Sequence, residues 1–124
     1  MSDEKINILI VDDLFDNLLL LESMLESDEL NIITATSGFE AIEKVKQHSL
    51  ALILLDVQMP EMDGFQTAVH IRKLESGGNV PIIFVTAISK ERQYEFKGYH
   101  SGAVDYLFKP VAQEILSSKV RIFV

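Results

Sequence analysis

The sequence predicts an α/β fold, a doubly wound parallel sheet with helices on both faces. Residues 6–11, 50–55 and 81–85 are apolar at almost every position, which is typical of strands that are covered on both sides. Amphipathic stretches separate these runs and indicate helices. Because strands and helices alternate along the chain, we expect parallel strands with right-handed crossovers.

Five strand–helix repeats are predicted in all. The strands are expected at residues 6–11, 31–35, 50–55, 81–85 and 104–108, and the helices at residues 16–27, 37–47, 65–74, 89–100 and 113–123. Residues 31–35 and 104–108 are the weaker strand candidates. Phe39, Phe84 and Phe108 are expected in the core.

Capping residues and apolar stripes support the individual helices. In the first predicted helix, Leu18, Leu21, Met24 and Leu25 share one face, and Asp13 or Asp16 is the expected cap. In the second, Ser37 followed three residues later by Glu40 is the pattern of a capping box. The third follows Gly64. The last helix presents Ile115, Leu116, Val120 and Ile122.

Composition limits the classes of function. The chain has 124 residues and no cysteine, which excludes disulfides, cysteine-ligated zinc and thiol nucleophiles. The net charge of −8 disfavours direct nucleic-acid binding. No apolar run reaches the roughly 18 residues of a membrane span, and the N-terminus lacks a secretory pattern, so a cytoplasmic protein without a membrane partner is expected. The last helical pattern stops without a Gly or Pro, which favours one domain, 1–124, taken from a longer chain.

Polar residues follow four of the five predicted strands. Asp12 and Asp13 come after the first strand, Asp56 after the third, Thr86 after the fourth and Lys109 after the fifth. Open parallel sheets bind ligands outside the carboxyl ends of their strands. If the strand order is 2-1-3-4-5, strands one and three are neighbours and the three carboxylates converge.

Each of these residues also has an ordinary structural explanation. An Asp after a strand is often a helix cap or a turn residue, and a lone Thr or Lys is usually a surface residue. Five polar residues at four strand ends of one sheet favour a functional site over five unrelated surface features.

The chemistry of such a cluster favours a cation and a phosphoryl group. Neighbouring carboxylates repel one another unless a proton or a cation intervenes, and oxygen ligands suit Mg²⁺ or Mn²⁺ better than zinc. Asp56 could act as a phosphoryl nucleophile. The divalent ion, Lys109 and Thr86 could then stabilise the phosphoryl oxygens.

Four segments resemble the receiver domain of two-component response regulators. They are ILIVDD, LILLDVQMPEMDGF, PIIFVTA and GAVDYLFKP, which occur in this order and span essentially the whole chain. The resemblance implies a flavodoxin-like (βα)5 fold with strand order 2-1-3-4-5. The segment VDDLFDNLLLLESML is similar to a subgroup often fused to sensor kinases, although Phe15 stands where that subgroup commonly has proline.

The resemblance also implies the metal ligands. Asp13 and Asp56 would bind Mg²⁺ directly, Asp12 would act through water, and the backbone carbonyl of Gln58 would be the third protein ligand. Asp56 would accept the phosphoryl group from a histidine kinase or a histidine phosphotransfer protein, so that the chain is a signalling domain and not an enzyme.

Further roles follow from the same resemblance. Thr86 and Lys109 would contact the phosphoryl group, Tyr106 would be the switch aromatic, and the Lys109–Pro110 peptide bond would be cis. The face formed by the fourth predicted helix, the fifth strand and the fifth helix would change on phosphorylation and form a partner or homodimer surface.

Three alternatives are open. An Asp-nucleophile phosphohydrolase would need a general acid two residues after Asp56, where this chain has Gln58. A flavin binder would need a hydroxyl- and Gly-rich loop after the first strand, where this chain is anionic. A degenerate receiver would not accept phosphate, which the presence of Asp13, Asp56, Thr86 and Lys109 argues against.

Overall fold

The computed structural model describes residues 5–87 and 105–124. The strands are β1 (Ile6–Val11), β2 (Leu30–Ala35), β3 (Leu52–Asp56), β4 (Ile82–Thr86) and β5 (Asp105–Phe108), and the described helices are α1 (Phe15–Met24), α2 (Gly38–Gln47), α3 (Gly64–Arg72) and α4 (Gln113–Phe123). The helix predicted at residues 89–100 lies outside the described residues, so α4 is the fifth helix of the sequence prediction.

All strands are parallel and their order is β2-β1-β3-β4-β5. The doubly wound α/β fold and the strand order are therefore confirmed. β3 and β4 are buried at every position, and β1 at its last four, as expected for strands covered by helices on both faces. None of the described helices has the length and apolar character needed to cross a lipid bilayer.

Alternation along the strands divides the buried residues into two cores. The α2–α3 core contains Leu9, Val11, Ile33, Ala35, Ala41, Val45, Ile53, Leu55, Val57, Met59, Phe65, Ala68, Ile71, Val80, Ile82 and Phe84. The α1–α4 core contains Ile8, Ile10, Leu18, Leu21, Leu25, Leu52, Leu54, Ile83, Val85, Leu107, Leu116 and Val120. Because neighbouring residues of a strand point to opposite faces, each apolar run supplies both cores.

The helix faces agree in part with the prediction. Leu18, Leu21 and Leu25 are buried, as expected for the inner stripe of α1. Phe84 is fully buried, but the prediction for Phe39 is wrong, because 55% of its surface is exposed. The buried stripe of α2 runs through Gly38, Ala41 and Val45, and Phe39 falls beside that stripe.

The cap prediction is wrong for α1 and right for α2. The N-cap of α1 is Leu14, whose side chain makes no capping hydrogen bond, so neither Asp13 nor Asp16 caps the helix. Ser37 caps α2 by accepting a hydrogen bond from the backbone N–H of Glu40 at 3.0 Å. The Glu40 carboxylate does not complete the box at Ser37, since it accepts from the backbone N–H of Thr36 at 2.6 Å.

Asp63 and Gln66 form a complete capping box at the start of α3. The Asp63 carboxylate accepts from the N–H of Gln66 at 2.8 Å, and the Gln66 side chain accepts from the N–H of Asp63 at 3.0 Å. We expect Asp63→Ala to lower the free energy of unfolding by about 1 kcal/mol, because it removes an N-cap acceptor. Urea unfolding checks this value, with the exposed Glu75→Ala as the control; equal losses in both variants would contradict the capping role.

Candidate functional site

The carboxylates of Asp12, Asp13 and Asp56 converge at the carboxyl edge of the sheet. One oxygen from each residue can be chosen so that all three lie within 4.8 Å of one another. They come from the ends of β1 and β3, which pair directly in the sheet. Asp12 and Asp56 are buried, with 1% and 4% of their surfaces exposed, and Asp13 is half-buried. The predicted clustering of the three carboxylates is confirmed.

Strand pairing holds the phosphoacceptor candidate in place. β3 continues one residue beyond its predicted end, so that Asp56 is the last residue of the strand and pairs with Val85 of β4. β4 likewise continues to Thr86, which pairs with Phe108. Asp56 and Thr86 are thus the last residues of their strands, and strand pairing fixes their backbones.

The Asp12 carboxylate accepts three hydrogen bonds from described residues. Its Oδ1 accepts from the backbone N–H of Leu14 at 2.9 Å. Its Oδ2 accepts from Nδ2 of Asn17 at 3.2 Å and from Nζ of Lys109 at 3.0 Å. Asn17 is not among the site residues predicted from the sequence. The sequence feature that could have indicated its role is its position, five residues after Asp12 and immediately before the four leucines of α1.

Lys109 brings the positive charge of the site from the end of β5. Its backbone N–H donates to the carbonyl of Thr86 at 2.8 Å, which fixes the start of the side chain. Its Nζ lies 3.0 Å from Asp12 Oδ2 and 3.5 Å from Asp56 Oδ1. The following peptide bond, Lys109–Pro110, is cis, as the resemblance implied. Lys109 therefore bridges the two buried carboxylates.

The environment of Asp56 disfavours its charged form. Burial, together with the nearby charge of Asp12, raises the pKa of Asp56 from 3.8 to about 6. The ammonium of Lys109 and a hydrogen bond from the backbone N–H of Gln58 act in the opposite direction but do not balance the burial. Among the described residues, one ammonium thus compensates three carboxylates incompletely, and the cluster is short of positive charge.

Glycine is required where α3 begins. The N–H of Gly64 donates to the carbonyl of Val57 at 2.8 Å, which brings the first turn of α3 against the end of β3. A Cβ at position 64 would lie 2.2 Å from the carbonyl oxygen of Asp56 and 2.8 Å from Cα of Val57. The intervening loop turns sharply at Glu61, where φ is 68° and the N–H of Met62 donates to the carbonyl of Pro60 at 2.8 Å.

Thr86 and Tyr106 lie on the side of the sheet that packs against the α2–α3 core. Thr86 is buried. Because it lies two residues after Phe84 in β4, it points to the same face of the sheet, which packs against the α2–α3 core. Tyr106 is half-buried against the same core, with its ring centroid 5.6 Å from that of Phe84 and 6.3 Å from that of Phe108. Burial raises the pKa of the Tyr106 hydroxyl. The phosphoryl-binding role of Thr86 and the switch role of Tyr106 stay predictions.

The donor set fits a hard divalent cation. The three clustered side chains offer only carboxylate oxygens, which Mg²⁺ prefers and which a zinc site rarely uses alone. Gln58, whose backbone carbonyl is the predicted further ligand, is exposed beside Asp56. A cation here would supply the positive charge that Lys109 alone does not provide.

Comparison with known proteins identifies the family. The model of the response regulator receiver domain matches residues 8–121. A probable cyclic di-GMP phosphodiesterase of Vibrio cholerae is 39% identical over 113 residues, covering 91% of this chain and 25% of that protein. The signal transduction histidine-protein kinase BarA of Escherichia coli is 38% identical over 119 residues, covering 94% of this chain and 13% of that protein. The chain thus spans a quarter or less of these relatives.

Solved structures agree with the family model. The Vibrio cholerae chemotaxis protein CheY4 is 28% identical with a TM-score of 0.85, covering 98% of this chain and 100% of that one. The receiver domain of a Pseudomonas aeruginosa sensor histidine kinase, with magnesium in its active site cleft, is 29% identical with a TM-score of 0.86, covering 97% and 98%. This chain therefore belongs to the response regulator receiver domains, the receiver domains of two-component signalling systems.

Proposed function

We propose that this receiver domain is a phosphorylatable switch in which Asp56 accepts the phosphoryl group. The observation that carries the proposal is the position of Asp56. Its carboxylate lies at the end of a central strand, with Lys109 Nζ at 3.5 Å and with oxygens of Asp12 and Asp13 in the same cluster. This arrangement combines a nucleophile with groups that stabilise the charge of a phosphoryl group.

The phosphoryl donor is a phosphohistidine on a histidine kinase or a histidine phosphotransfer protein. A carboxylate oxygen of Asp56 attacks phosphorus, so that a P–O bond forms while the P–N bond to the donor imidazole breaks, and the imidazole leaves with the bonding electron pair. Receiver domains take phosphoryl groups from histidine kinases, and one relative of this chain is named as such a kinase. The net charge of −8 makes nucleic acid an unsuitable direct partner.

Mg²⁺, with Mn²⁺ as the substitute, is the proposed cation and supplies the positive charge that the phosphoryl oxygens and the carboxylates share. Asp13 and Asp56 would hold it directly, Asp12 would act through water, and the carbonyl of Gln58 would be the further protein ligand. Lys109 binds another phosphoryl oxygen, since its Nζ already lies between Asp12 and Asp56. The Thr86 hydroxyl binds a third oxygen.

The proposed readout runs from Thr86 to Tyr106. Both residues lie toward the α2–α3 core, and Tyr106 packs on Phe84, two residues before Thr86. Movement of the Thr86 hydroxyl toward the phosphoryl group frees space for the tyrosine ring, and the surface around β5 and α4 changes with it. Residues 1–124 act as a signalling domain of a longer protein, and any catalytic activity resides in an attached domain.

Phosphorylation with a small donor tests this function. Acetyl phosphate with Mg²⁺ is expected to add one phosphoryl group to the wild-type chain, as measured by intact mass, and chelation of the metal is expected to stop the reaction. Asp56→Asn is expected to abolish labelling, because no carboxylate remains at the end of β3. Asp63→Asn, at a half-buried residue in the loop that follows Asp56, is the matched control and should label normally.

Lys109→Ala, with Asp56 kept, is expected to slow phosphorylation of Asp56 by about 10²-fold. This is the typical effect of removing one donor that stabilises developing charge. Full labelling of Asp56→Asn, or labelling at an unchanged rate without a divalent cation, would contradict the proposed chemistry.

A further inference from the structure

Asn17 is a polar residue at the start of an otherwise leucine-rich helix. It is half-buried in the first turn of α1, and its Nδ2 donates to Asp12 Oδ2 at 3.2 Å. We propose that Asn17 is a positioning residue of the phosphoryl-accepting site. Its amide holds the Asp12 carboxylate in place when Lys109 turns from Asp12 to the phosphoryl group on Asp56.

The burial of Asp12 makes every donor to it important. Only 1% of the residue is exposed, so its carboxylate depends on donors within the protein. Oδ1 has the backbone N–H of Leu14. Within residues 5–87 and 105–124, Oδ2 has two donors, the neutral amide of Asn17 and the ammonium of Lys109.

These two donors differ in what they do when a phosphoryl group arrives. Lys109 Nζ is shared between Asp12 at 3.0 Å and Asp56 at 3.5 Å, so a short movement carries it to a phosphoryl group on Asp56. The new negative oxygens attract the ammonium strongly. Asn17 carries no charge and is fixed to α1, and it therefore stays on Oδ2 after Lys109 has moved.

An amide suits this position better than a charged donor. A second ammonium or a guanidinium beside Asp12 would reduce the negative charge of the cluster and compete with the divalent cation for its oxygens. The Asn17 amide orients the carboxylate without adding positive charge, as outer partners of metal ligands commonly do. The orientation of Asp12, and through it the affinity for Mg²⁺, thus depends on a residue outside the acidic cluster.

This inference rests on the proposed magnesium site, and Mg²⁺ affinity is its main readout. The dissociation constant is measured by NMR titration with Mg²⁺ alone, without a phosphodonor. We expect Asn17→Ala and Asn17→Leu to weaken binding by at least about tenfold, the lower end of the scale for losing one hydrogen bond to a charged group or one outer partner of a metal site. The leucine keeps the approximate shape of asparagine and separates loss of the donor from loss of packing.

A double-mutant cycle tests whether Asn17 acts through Asp12. Asp12→Ala removes the carboxylate, and adding Asn17→Ala to it is then expected to change the Mg²⁺ dissociation constant no further. Ser23→Ala is the control on the same helix, since the exposed Ser23 hydroxyl bonds only to the carbonyl of Leu20 among the described residues. Its dissociation constant should equal that of the wild type.

The outcomes separate this inference from the proposed function. If the wild type binds Mg²⁺ and Asn17→Leu binds it equally well, the role of Asn17 is overturned while the metal site stands. A further loss of affinity when Asn17→Ala is added to Asp12→Ala also overturns it, because Asn17 would then act without Asp12. If the wild type binds no Mg²⁺, the proposed metal site fails and this inference fails with it.

Discussion

Asp56→Asn is expected to make the protein more stable at neutral pH while removing the proposed phosphoacceptor. The pKa of Asp56 is raised from 3.8 to about 6 by burial and by the charge of Asp12. The folded state therefore binds the proton more tightly than the unfolded state does. As pH rises from about 4 to 6, the unfolded chain loses this proton first, and the free energy of unfolding falls.

A difference of about two pKa units corresponds to about 3 kcal/mol, which is the upper limit of the stability lost above pH 6. Asparagine has the shape of aspartate but does not ionise, so the variant avoids this loss. Urea unfolding of both proteins at pH 4, 5, 6 and 7 without divalent cations measures the effect. The gain in stability should be small at pH 4 and largest at pH 7.

Magnesium supplies the control for this prediction. A ligand that binds only the folded state stabilises it in proportion to the logarithm of its concentration. Saturating Mg²⁺ should therefore raise the stability of the wild type more than that of Asp56→Asn and narrow the difference between them. A difference that is the same at pH 4 and pH 7 would contradict the charge-burial explanation, because the change would then lie in packing.

Gly64→Ala is expected to have the second large effect, on both stability and phosphorylation. The added methyl group would lie 2.2 Å from the carbonyl oxygen of Asp56 and 2.8 Å from Cα of Val57. Both neighbours are backbone atoms, one in the last residue of β3 and one in the residue after it, and both residues are buried. Backbone atoms cannot turn aside as a flexible side chain can. The strand end or the start of α3 must move.

We expect this substitution to lower the free energy of unfolding by about 3 kcal/mol, the upper range for overpacking a core. We also expect the labelling rate with acetyl phosphate to fall by about 10²-fold, because a displacement of about 1 Å at a reacting group has effects of that size. Gly78→Ala is the matched control, since the nearest atom to its added methyl group lies at 3.6 Å. Equal stabilities of the two variants would contradict the steric explanation.

The sequence predicted those parts of the fold that depend on local patterns. β1 and α4 begin and end at the predicted residues, and the strand order implied by the resemblance is the one observed. β3 and β4 each end one residue later than predicted. The apolar runs stop at Leu55 and Val85, but pairing with neighbouring strands extends to Asp56 and Thr86. Hydropathy describes burial, and it does not describe where a hydrogen-bonded ladder ends.

The remaining features depend on contacts between distant segments. Asn17 was missed because its partner, Asp12, is positioned by the sheet and not by the helix pattern. The close approach of Gly64 to Asp56 depends on how α3 packs against the end of β3, and the raised pKa of Asp56 depends on its burial among β1, β3 and β5. The α1 cap was predicted wrongly because Asp12 binds the N–H of Leu14 from a position before the helix.

The bridge between Lys109 and Asp12 joins residues that are 97 positions apart in the chain. Contacts of such long range form late, because the loop between them must be closed first. During synthesis, the three aspartates leave the ribosome long before Lys109 does. The acidic cluster therefore lacks the Lys109 ammonium until β5 has paired with β4, and a nascent or partly folded chain cannot offer the complete pocket to a phosphodonor. Only a chain whose last strand has joined the sheet therefore has the complete site.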